Sequence, residues 1–207
     1  MNKIIKYILA MSFLAILAGC YDLQESYDYE PVNANPYLNV SAWEFIEARQ
    51  DTFSLLKQAI EHVDASFPGF KDYYKQSDKK YTFMFLNNAA FRDKDGVFVN
   101  TGQKEISAID PVVLKDILSY HIVDGYYHSL DREGSLNFDP INVITLWKSQ
   151  DAVMTLRLNN SVTQVNYSRL IVNNNTGTSP TRTAVTSNLI ATNGVIHVFS
   201  QQIIYKP

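Results

Sequence analysis

An uncharged apolar run opens the chain and is followed by a polar stretch with no periodic pattern. Lys3 and Lys6 precede the apolar run, which covers residues 7–19. At ~1.5 Å per residue a helix of that length spans ~20 Å, whereas the core of a bilayer is ~30 Å thick. The pattern therefore predicts a signal peptide over residues 1–19 and not a transmembrane helix.

Apolar residues at helical spacing begin after residue 40. Ser41 and Glu44 have the spacing of a capping box, in which two side chains accept hydrogen bonds from backbone amides at a helix start. Asp51 is predicted to cap a second helix, and Asp110-Pro111 to begin a third. The stripes that these two helices would bury are Phe53, Leu56, Ile60 and Val63, and Leu114, Ile117, Leu118 and His121.

The second half of the chain changes to β-rich runs separated by clusters of asparagine, glycine, serine and proline. Runs of this kind predict strands joined by turns. Because helices come first and strands afterwards, the pattern predicts an α+β fold. The predicted strands cover residues 141–146, 153–158, 162–165, 169–172 and 194–204.

The only cysteine of the chain, Cys20, directly follows the apolar run. The residues Leu17-Ala18-Gly19 before it resemble the lipobox of bacterial lipoproteins, in which the cysteine thiol is diacylated and becomes the new N-terminus. An ordinary secretory signal with an unmodified cysteine is the alternative, which the position of the single cysteine disfavours. Since two acyl chains give stable anchoring, we expect Cys20 to anchor the protein to the outer membrane.

Residues 21–36 lack apolar periodicity and contain four acidic side chains. Together with Cys20 they are predicted to form a flexible tether over residues 20–36, with a reach of ~20–25 Å as a coil. An acidic stretch so close to a lipidated cysteine resembles the surface-export signal of some Gram-negative lipoproteins. A solvated linker explains it equally well, so both interpretations of this segment stay open.

Composition excludes several classes of function. The formal net charge is −3 and no basic run interrupts it, so no nucleic-acid partner is expected. With Cys20 lipidated, no thiol remains for a disulfide, a nucleophile or a metal site. Residues 93–96 contain half of a calcium-loop pattern, which a turn explains better. Since the sequence has no nucleophile elbow or phosphate loop, we expect no catalytic residues, no metal and no cofactor.

Three segments, in order along the chain, carry a family resemblance. Residues 81–91 are a threonine-led strand running into Asn-Ala-Ala-Phe, residues 118–125 contain a Tyr-His pair, and residues 191–198 contain Asn-Gly-Val-Ile-His-Val. They resemble the conserved segments of fasciclin (FAS1) domains, with Leu86 in place of the family's proline. The positions that carry the resemblance are Thr82, Asn88, Ala90, Phe91, Tyr120, His121, Asn193, Gly194 and His197.

The resemblance covers most of residues 37–207, which we identify as a fasciclin-like domain. It implies a compact wedge of two packed β-sheets with helices along one side, and a role in adhesion or partner binding. Some animal members bind integrins through a lysine and an aspartate just before their Ala-Thr-Asn-Gly. Here that run is Thr186-Ser187-Asn188-Leu189-Ile190, which has no carboxylate, so integrin binding by that route is not expected.

The matching residues also have interpretations that do not depend on the family. Asn193-Gly194 is a turn signal because glycine tolerates a positive φ, and Asn88 is predicted to cap a helix. His121 ends an apolar helical stripe, and His197 alternates within a strand. Because buried histidines in such settings usually bond to the backbone, we predict that both are structural.

Aromatic residues in loops are the candidate binding residues. Tyr126, Tyr127 and His128 follow a glycine, and Trp147 interrupts a polar patch. Exposed aromatic side chains often anchor protein partners, and they can also stack on sugars. The alternative is that one of the two tyrosines points into the core.

The sequence leads to one main hypothesis and one alternative. The main hypothesis is a lipid-anchored protein of the outer membrane, exposed at the cell surface, with a non-catalytic adhesion or protein-binding domain. The alternative is a glycan-binding accessory lipoprotein of an outer-membrane nutrient-uptake complex. A hydrolase is kept as a third class only because a fold does not determine a function.

Overall fold

The computed structural model describes residues 35–76, 78–130, 136–149, 153–159, 169–174 and 179–205. The α-helices in these ranges are α1 (Ala42–Ala48), α2 (Gln50–Ser66), α3 (Asn88–Arg92), α4 (Val97–Thr101) and α5 (Pro111–Tyr120), with 3₁₀ turns at Phe70–Tyr74 and Ile106–Ala108. The strands are β1 (Tyr81–Leu86), β2 (Ile122–Val123), β3 (Ile141–Ile144), β4 (Val153–Leu158), β5 (Leu170–Val172), β6 (Arg182–Thr183), β7 (Thr186–Ala191) and β8 (Gly194–Phe199).

These strands form two four-stranded sheets. The first has the order β2-β1-β8-β7, with β1 parallel to β8, and the second has the order β3-β4-β5-β6 with antiparallel neighbours. A bridge between Val123 and Thr145 joins the edge of the first sheet to the edge of the second. The two sheets therefore meet along one side, and with the helices they confirm the predicted α+β wedge.

The central strands of the first sheet are buried on both faces. All six residues of β1 and all six of β8 are buried, which suits their nearly continuous apolar sequences. Aromatic rings of the helical layer pack on β1: Phe53 of α2 meets Phe85 edge-on at 5.5 Å, and Tyr74 stacks on Phe83 at 5.3 Å. These contacts hold the helices against one face of the sheet.

Two of the predicted helix starts are confirmed. At α1 the backbone N–H of Ser41 donates to Oε2 of Glu44 at 2.7 Å, and the N–H of Glu44 donates to Oγ of Ser41 at 3.2 Å. At α5 the carboxylate of Asp110 accepts from the N–H of Val112 at 2.8 Å, and Pro111 is the first helical residue. Each cap satisfies a backbone donor that the helix leaves free.

The predicted cap at Asp51 is wrong, because α2 already begins at Gln50 and bends at Phe53, whose φ is −122°. Asn88 bonds to the backbone on both sides of this bend. Its Oδ1 accepts from the N–H of Leu55 at 2.9 Å, and its Nδ2 donates to the carbonyl oxygen of Asp51 at 3.0 Å. The predicted cap of α3 is also displaced by one residue. Asn87 fills it, with Oδ1 accepting from the N–H of Ala90 at 3.1 Å.

The strand predictions hold where apolar residues alternate or run together. The predicted strand over residues 153–158 matches β4, whereas β3 ends at Ile144 and β8 ends at Phe199. β7 was not predicted because its first half, Thr186-Ser187-Asn188, is polar. The predicted strand over residues 162–165 lies outside the described residues.

The described chain enters the first sheet at its β7 edge, where Tyr37 forms a parallel bridge with Ile190. None of the described helices is both long and apolar enough to cross a membrane. The predicted signal peptide, the predicted lipidation site Cys20 and most of the predicted tether lie outside the described residues. The domain boundary at residue 37 stays a prediction.

Candidate binding groove

His121 connects three parts of the fold. Its Nδ1 lies 2.8 Å from the carbonyl oxygen of Ile117 in α5, and its Nε2 accepts from the N–H of Ile203 at 3.1 Å. Since Nε2 is the acceptor, Nδ1 carries the proton and donates to Ile117. The carbonyl oxygen of His121 accepts from the N–H of Met84 in β1 at 2.9 Å. Burial lowers the pKa of His121 to about 4, so the ring is neutral at pH 7.

His197 and Thr82 hold the segment that follows β2 against the first sheet. Nε2 of His197 lies 3.1 Å from the carbonyl oxygen of Tyr127. The hydroxyl of Thr82 donates to the carbonyl oxygen of Gly125 at 2.9 Å and accepts from the N–H of Tyr127 at 2.8 Å. Burial lowers the pKa of His197 to about 4. Both side chains therefore position backbone.

Asn193 and Gly194 have structural roles at the turn between β7 and β8. Oδ1 of Asn193 accepts from the N–H of Ala42 at 2.8 Å, and its Nδ2 donates to the carbonyl oxygen of Tyr73 at 3.3 Å. Gly194 does not have a positive φ, so the predicted reason for this glycine is wrong. A Cβ there would collide with the carbonyl oxygen of Tyr81, and the close approach of β1 is what requires glycine.

The first three aromatic candidates lie beside this scaffold. His128 is buried with 3% of its surface exposed, and the ring of Tyr126 meets it edge-on at 4.7 Å. Tyr127 is half-buried and packs against the main core, as the alternative for one tyrosine predicted. Tyr126 is also half-buried, with Nζ of Lys80 at 4.7 Å from its ring centre.

Trp147 lies in a different place. The N–H of Leu146 donates to the carbonyl oxygen of Ile122 and the N–H of Asp124 donates to that of Ile144, each at 2.8 Å. This pairing is antiparallel, so Trp147 lies beside the start of β2 and Tyr126 beyond its end. The four candidates therefore do not form one surface, and whether any of them binds a partner stays a prediction.

Trp147 borders a surface groove of about 250 Å³, which we call the aromatic groove. One wall is a face of α5, with Val113, Ile117 and Tyr120 at helical spacing and Asp116 beside them. The other wall is the C-terminal segment, with Ile203 and Tyr205. His121 bonds to Ile117 and to Ile203, so this buried histidine ties the two walls together.

The three large rings of the aromatic groove contact one another at steep angles. Tyr120 and Trp147 lie 5.9 Å apart at 82°, Trp147 and Tyr205 lie 6.1 Å apart at 57°, and Tyr120 and Tyr205 lie 6.2 Å apart at 71°. Edge-to-face pairs of this kind stabilise one another. Because no two of these rings are coplanar, they do not form a flat platform.

Tyr120 anchors the base of the aromatic groove. Its hydroxyl accepts from Nδ2 of Asn173 at 3.3 Å and lies 3.4 Å from the carbonyl oxygen of Val153. Burial raises the pKa of Tyr120 to about 12, so its phenol stays protonated at neutral pH. The ring is thereby fixed between α5 and the second sheet.

The described side chains that line the aromatic groove are mostly apolar. Among the described residues that line it, the one acidic side chain is Asp116, and the other polar groups are the amide of Gln202, the indole N–H of Trp147 and the two phenols. Within the described ranges, no group of three or more histidine, cysteine, aspartate or glutamate residues could hold a metal ion. The aromatic groove can therefore bury an apolar group and present a negative charge beside it.

Sequence reasoning identified Trp147 but missed its neighbours. Tyr120 is among the positions that carry the family resemblance, and neither Asp116 nor Tyr205 is singled out by the sequence. The spacing of Val113, Ile117 and Tyr120 on one side of α5 was the available signal. Since the wall opposite comes from the end of the chain, only the folded structure brings these residues together.

Comparison with known proteins gives a family and a fold. The family model described as Fasciclin domain matches residues 52–205. A solved FAS1 domain pair from the insect cell adhesion molecule Fasciclin I has a TM-score of 0.51 and 12% identity. The match covers 80% of this chain and 51% of that one, so the chain spans about half the length of the pair. No curated protein sequence matches.

Proposed function

We propose that this chain, which belongs to the fasciclin domain family, is a lipid-anchored envelope protein that binds another protein through its aromatic groove. Fasciclin domains are typically adhesion and protein-binding modules and are generally non-catalytic. That membership supports the class of function. The aromatic groove supports the choice of surface, because it places a partly buried tryptophan among apolar side chains next to a carboxylate.

The location forms the second part of the proposal. Cys20 at the end of an apolar run, preceded by Leu17-Ala18-Gly19, supports lipidation. The acidic residues 21–36 that follow support display at the outer face of the outer membrane. A tether of this length would hold the domain ~20–25 Å from the headgroups, where a partner on a neighbouring cell or in the same envelope could reach the groove.

A glycan-binding accessory role in nutrient uptake is the second candidate. Trp147 beside Asp116 supports it, because aromatic rings and carboxylates are common in sugar sites. The steep angles between Trp147, Tyr120 and Tyr205 leave no platform of several coplanar rings, and the family consists mainly of protein-binding modules. We therefore place protein binding first.

Crosslinking in intact cells tests the protein-binding proposal. Cells carrying the wild-type chain, Trp147→Ala or Phe138→Ala are crosslinked, and the captured species are identified. Phe138 is a matched control because it is aromatic and 48% exposed but does not line the groove. We expect Trp147→Ala to lose a protein that the other two chains capture. Capture of the same proteins by all three chains, or of glycan alone, would contradict the proposal.

A further inference from the structure

We propose that the aromatic groove takes a short extended segment of a partner protein in which a bulky apolar side chain stands next to a lysine or arginine. This inference rests on the proposed protein-binding function and names the chemistry that the groove would recognise. It follows from the size of the groove, its apolar walls, the charge at its rim and the arrangement of its rings.

The size of the aromatic groove suits one or two side chains. Its volume of about 250 Å³ lies just below the ~300–1,000 Å³ of pockets that enclose small-molecule ligands. It is also an open groove, with walls from two separate segments, so a chain can enter and leave along it. A single large side chain inserted from an extended backbone fits this shape better than an enclosed metabolite.

The walls of the aromatic groove offer some apolar surface that the domain itself does not cover. Val113 on α5 is 46% exposed, and Ile117 and Trp147 are each partly exposed. Tyr120 and Ile203 are buried and form the closed base between them. Burying such surface against a partner is favourable by roughly 25 cal/mol for each Å² removed from water.

The charge at the rim of the aromatic groove is negative and unpaired. Asp116 is exposed, and no ion pair joins it to a cation of the described chain. Its neighbour Lys115 does not neutralise it, because Nζ of Lys115 lies 4.2 Å from the ring centre of Phe67, outside the groove. A cationic side chain beside the inserted apolar residue would complement this carboxylate.

Fluorescence of Trp147 provides the test. The chain has two tryptophans, Trp43 and Trp147, so all tryptophan emission of the full chain with Trp43→Phe comes from the groove. The probes are the blocked peptides Gly-Ser-Lys-Phe-Ser-Gly, Gly-Ser-Gln-Phe-Ser-Gly, Gly-Ser-Glu-Phe-Ser-Gly and Gly-Ser-Lys-Gly-Ser-Gly. They are titrated against the protein in detergent at low salt, beside a panel of neutral oligosaccharides.

We expect saturable changes in Trp147 emission with the Lys-Phe peptide and none with the Lys-Gly peptide. Exposed ion pairs contribute ~0.2–1 kcal/mol, so the Lys-Phe peptide should bind up to about fivefold more tightly than the Gln-Phe peptide. That preference should vanish in Asp116→Asn and should turn toward the Glu-Phe peptide in Asp116→Lys. It should persist in Asp139→Asn, an exposed carboxylate outside the groove.

Three results would overturn the inference. They are the absence of any emission change with the peptides, equal affinity for the lysine and glutamate peptides, and saturation by an oligosaccharide instead. The first two leave the proposed function standing if crosslinked capture still depends on Trp147. If capture did not depend on Trp147, the groove would not be the binding surface, whatever the peptide titrations showed.

Discussion

His121 and His197 show how single buried side chains determine the shape of the candidate site. His121 bonds to Ile117 and Ile203 in the two walls of the aromatic groove. His197 bonds to Tyr127 and so fixes the segment after β2. Each imidazole is buried and neutral, and each bonds to backbone instead of to another side chain. Their role is to position the chain.

Replacing either histidine with alanine should destabilise the domain. His121→Ala leaves the carbonyl oxygen of Ile117 and the N–H of Ile203 without their partner, and His197→Ala does the same to the carbonyl oxygen of Tyr127. We expect a loss of about 1–3 kcal/mol in the free energy of unfolding for each. Urea denaturation of the full chain in detergent measures it, with the half-exposed His62 as the site of the control substitution.

An unchanged midpoint in either variant would contradict the structural role. If, in addition, partner capture were lost while the midpoint stayed the same, that histidine would be a binding residue and not a scaffold residue. His62→Ala should change the midpoint less, because its single bond, from Nε2 to the carbonyl oxygen of Ile109, lies nearer the surface.

Stability should fall as the pH is lowered from about 6.5 toward 4. Burial lowers the pKa of His121 and of His197 to about 4 in the folded chain, whereas an unfolded histidine has a pKa of ~6.5. Between these values the unfolded chain binds more protons, so the stability that is fully present above pH ~6.5 is progressively lost. The loss at pH ~5 is on the order of 2 kcal/mol for each histidine.

Denaturation midpoints at pH ~7 and ~5 measure this dependence. His197→Gln should lower stability at both pH values but should reduce the difference between them, because glutamine does not titrate. A difference in His197→Gln as large as in the wild type would show that His197 does not supply the effect.

At the scale of elements, Asn88 couples α3 to the bend in α2. Its side chain accepts from the N–H of Leu55 and donates to the carbonyl oxygen of Asp51, which lie on either side of the bend at Phe53. Asn87, the next residue toward the N-terminus, caps only its own helix. The side chain of Asn88 therefore joins two helices, whereas that of Asn87 bonds within one.

Asn88→Ala should cost more stability than Asn87→Ala. Loss of an ordinary N-cap costs ~1 kcal/mol. Asn88→Ala removes the acceptor of the partly buried N–H of Leu55 and the donor to the exposed carbonyl oxygen of Asp51, at about 1–2 kcal/mol. Denaturation of the two variants under the same conditions gives the comparison. Equal losses, or a greater loss in Asn87→Ala, would mean that the bend in α2 does not depend on Asn88.

Local chemistry explains which elements the sequence could predict. Three features could be predicted because a few neighbouring residues determine each of them. They are the capping box at Ser41, the helix start at Asp110-Pro111 and the apolar run of β4. β7 could not be predicted in this way, because it is held by pairing with β8 and by the bridge from Tyr37 to Ile190, while its first half is polar. The cap predicted at Asp51 does not form because Asn88, which is distant in the sequence, accepts the backbone hydrogen bond that a capping side chain would accept.

The aromatic groove could be predicted only in part for the same reason. Trp147 is conspicuous in a polar loop, but Asp116 and Tyr205 become site residues through the contact of α5 with the C-terminal segment. That contact depends on the bond from His121 to Ile203. Trp147 is grouped with Tyr126 and His128 in the sequence analysis because all three are aromatic residues in predicted loops, and the antiparallel pairing of β2 with the segment after β3 separates them.

At the scale of the whole molecule, Cys20 should decide where the domain resides. Cys20→Ala removes the residue that would carry the acyl chains, and single or absent acylation gives only marginal membrane binding. We expect the variant to leave the membrane fraction, and the wild type to stay in it through a carbonate wash. Retention of Cys20→Ala after that wash would contradict lipid anchoring.

Protease added to intact cells tests the exposed location separately. If the acidic residues 21–36 accompany export, the domain of the wild-type chain should be cleaved without lysis. Full protection in intact cells, followed by cleavage after lysis, would place the domain on the periplasmic side of the membrane. The binding proposal would stand in either case, with a periplasmic partner in the second.

The affinity for a captured partner tests the role of the aromatic groove most directly. Binding of the purified partner to the full chain is compared for the wild type, Trp147→Ala and Phe138→Ala, together with the denaturation midpoint of each. We predict that Trp147→Ala weakens binding by at least about tenfold, as loss of an aromatic anchor does, with no matching loss in Phe138→Ala. Unchanged affinity in a folded Trp147→Ala chain would contradict a binding function at this groove.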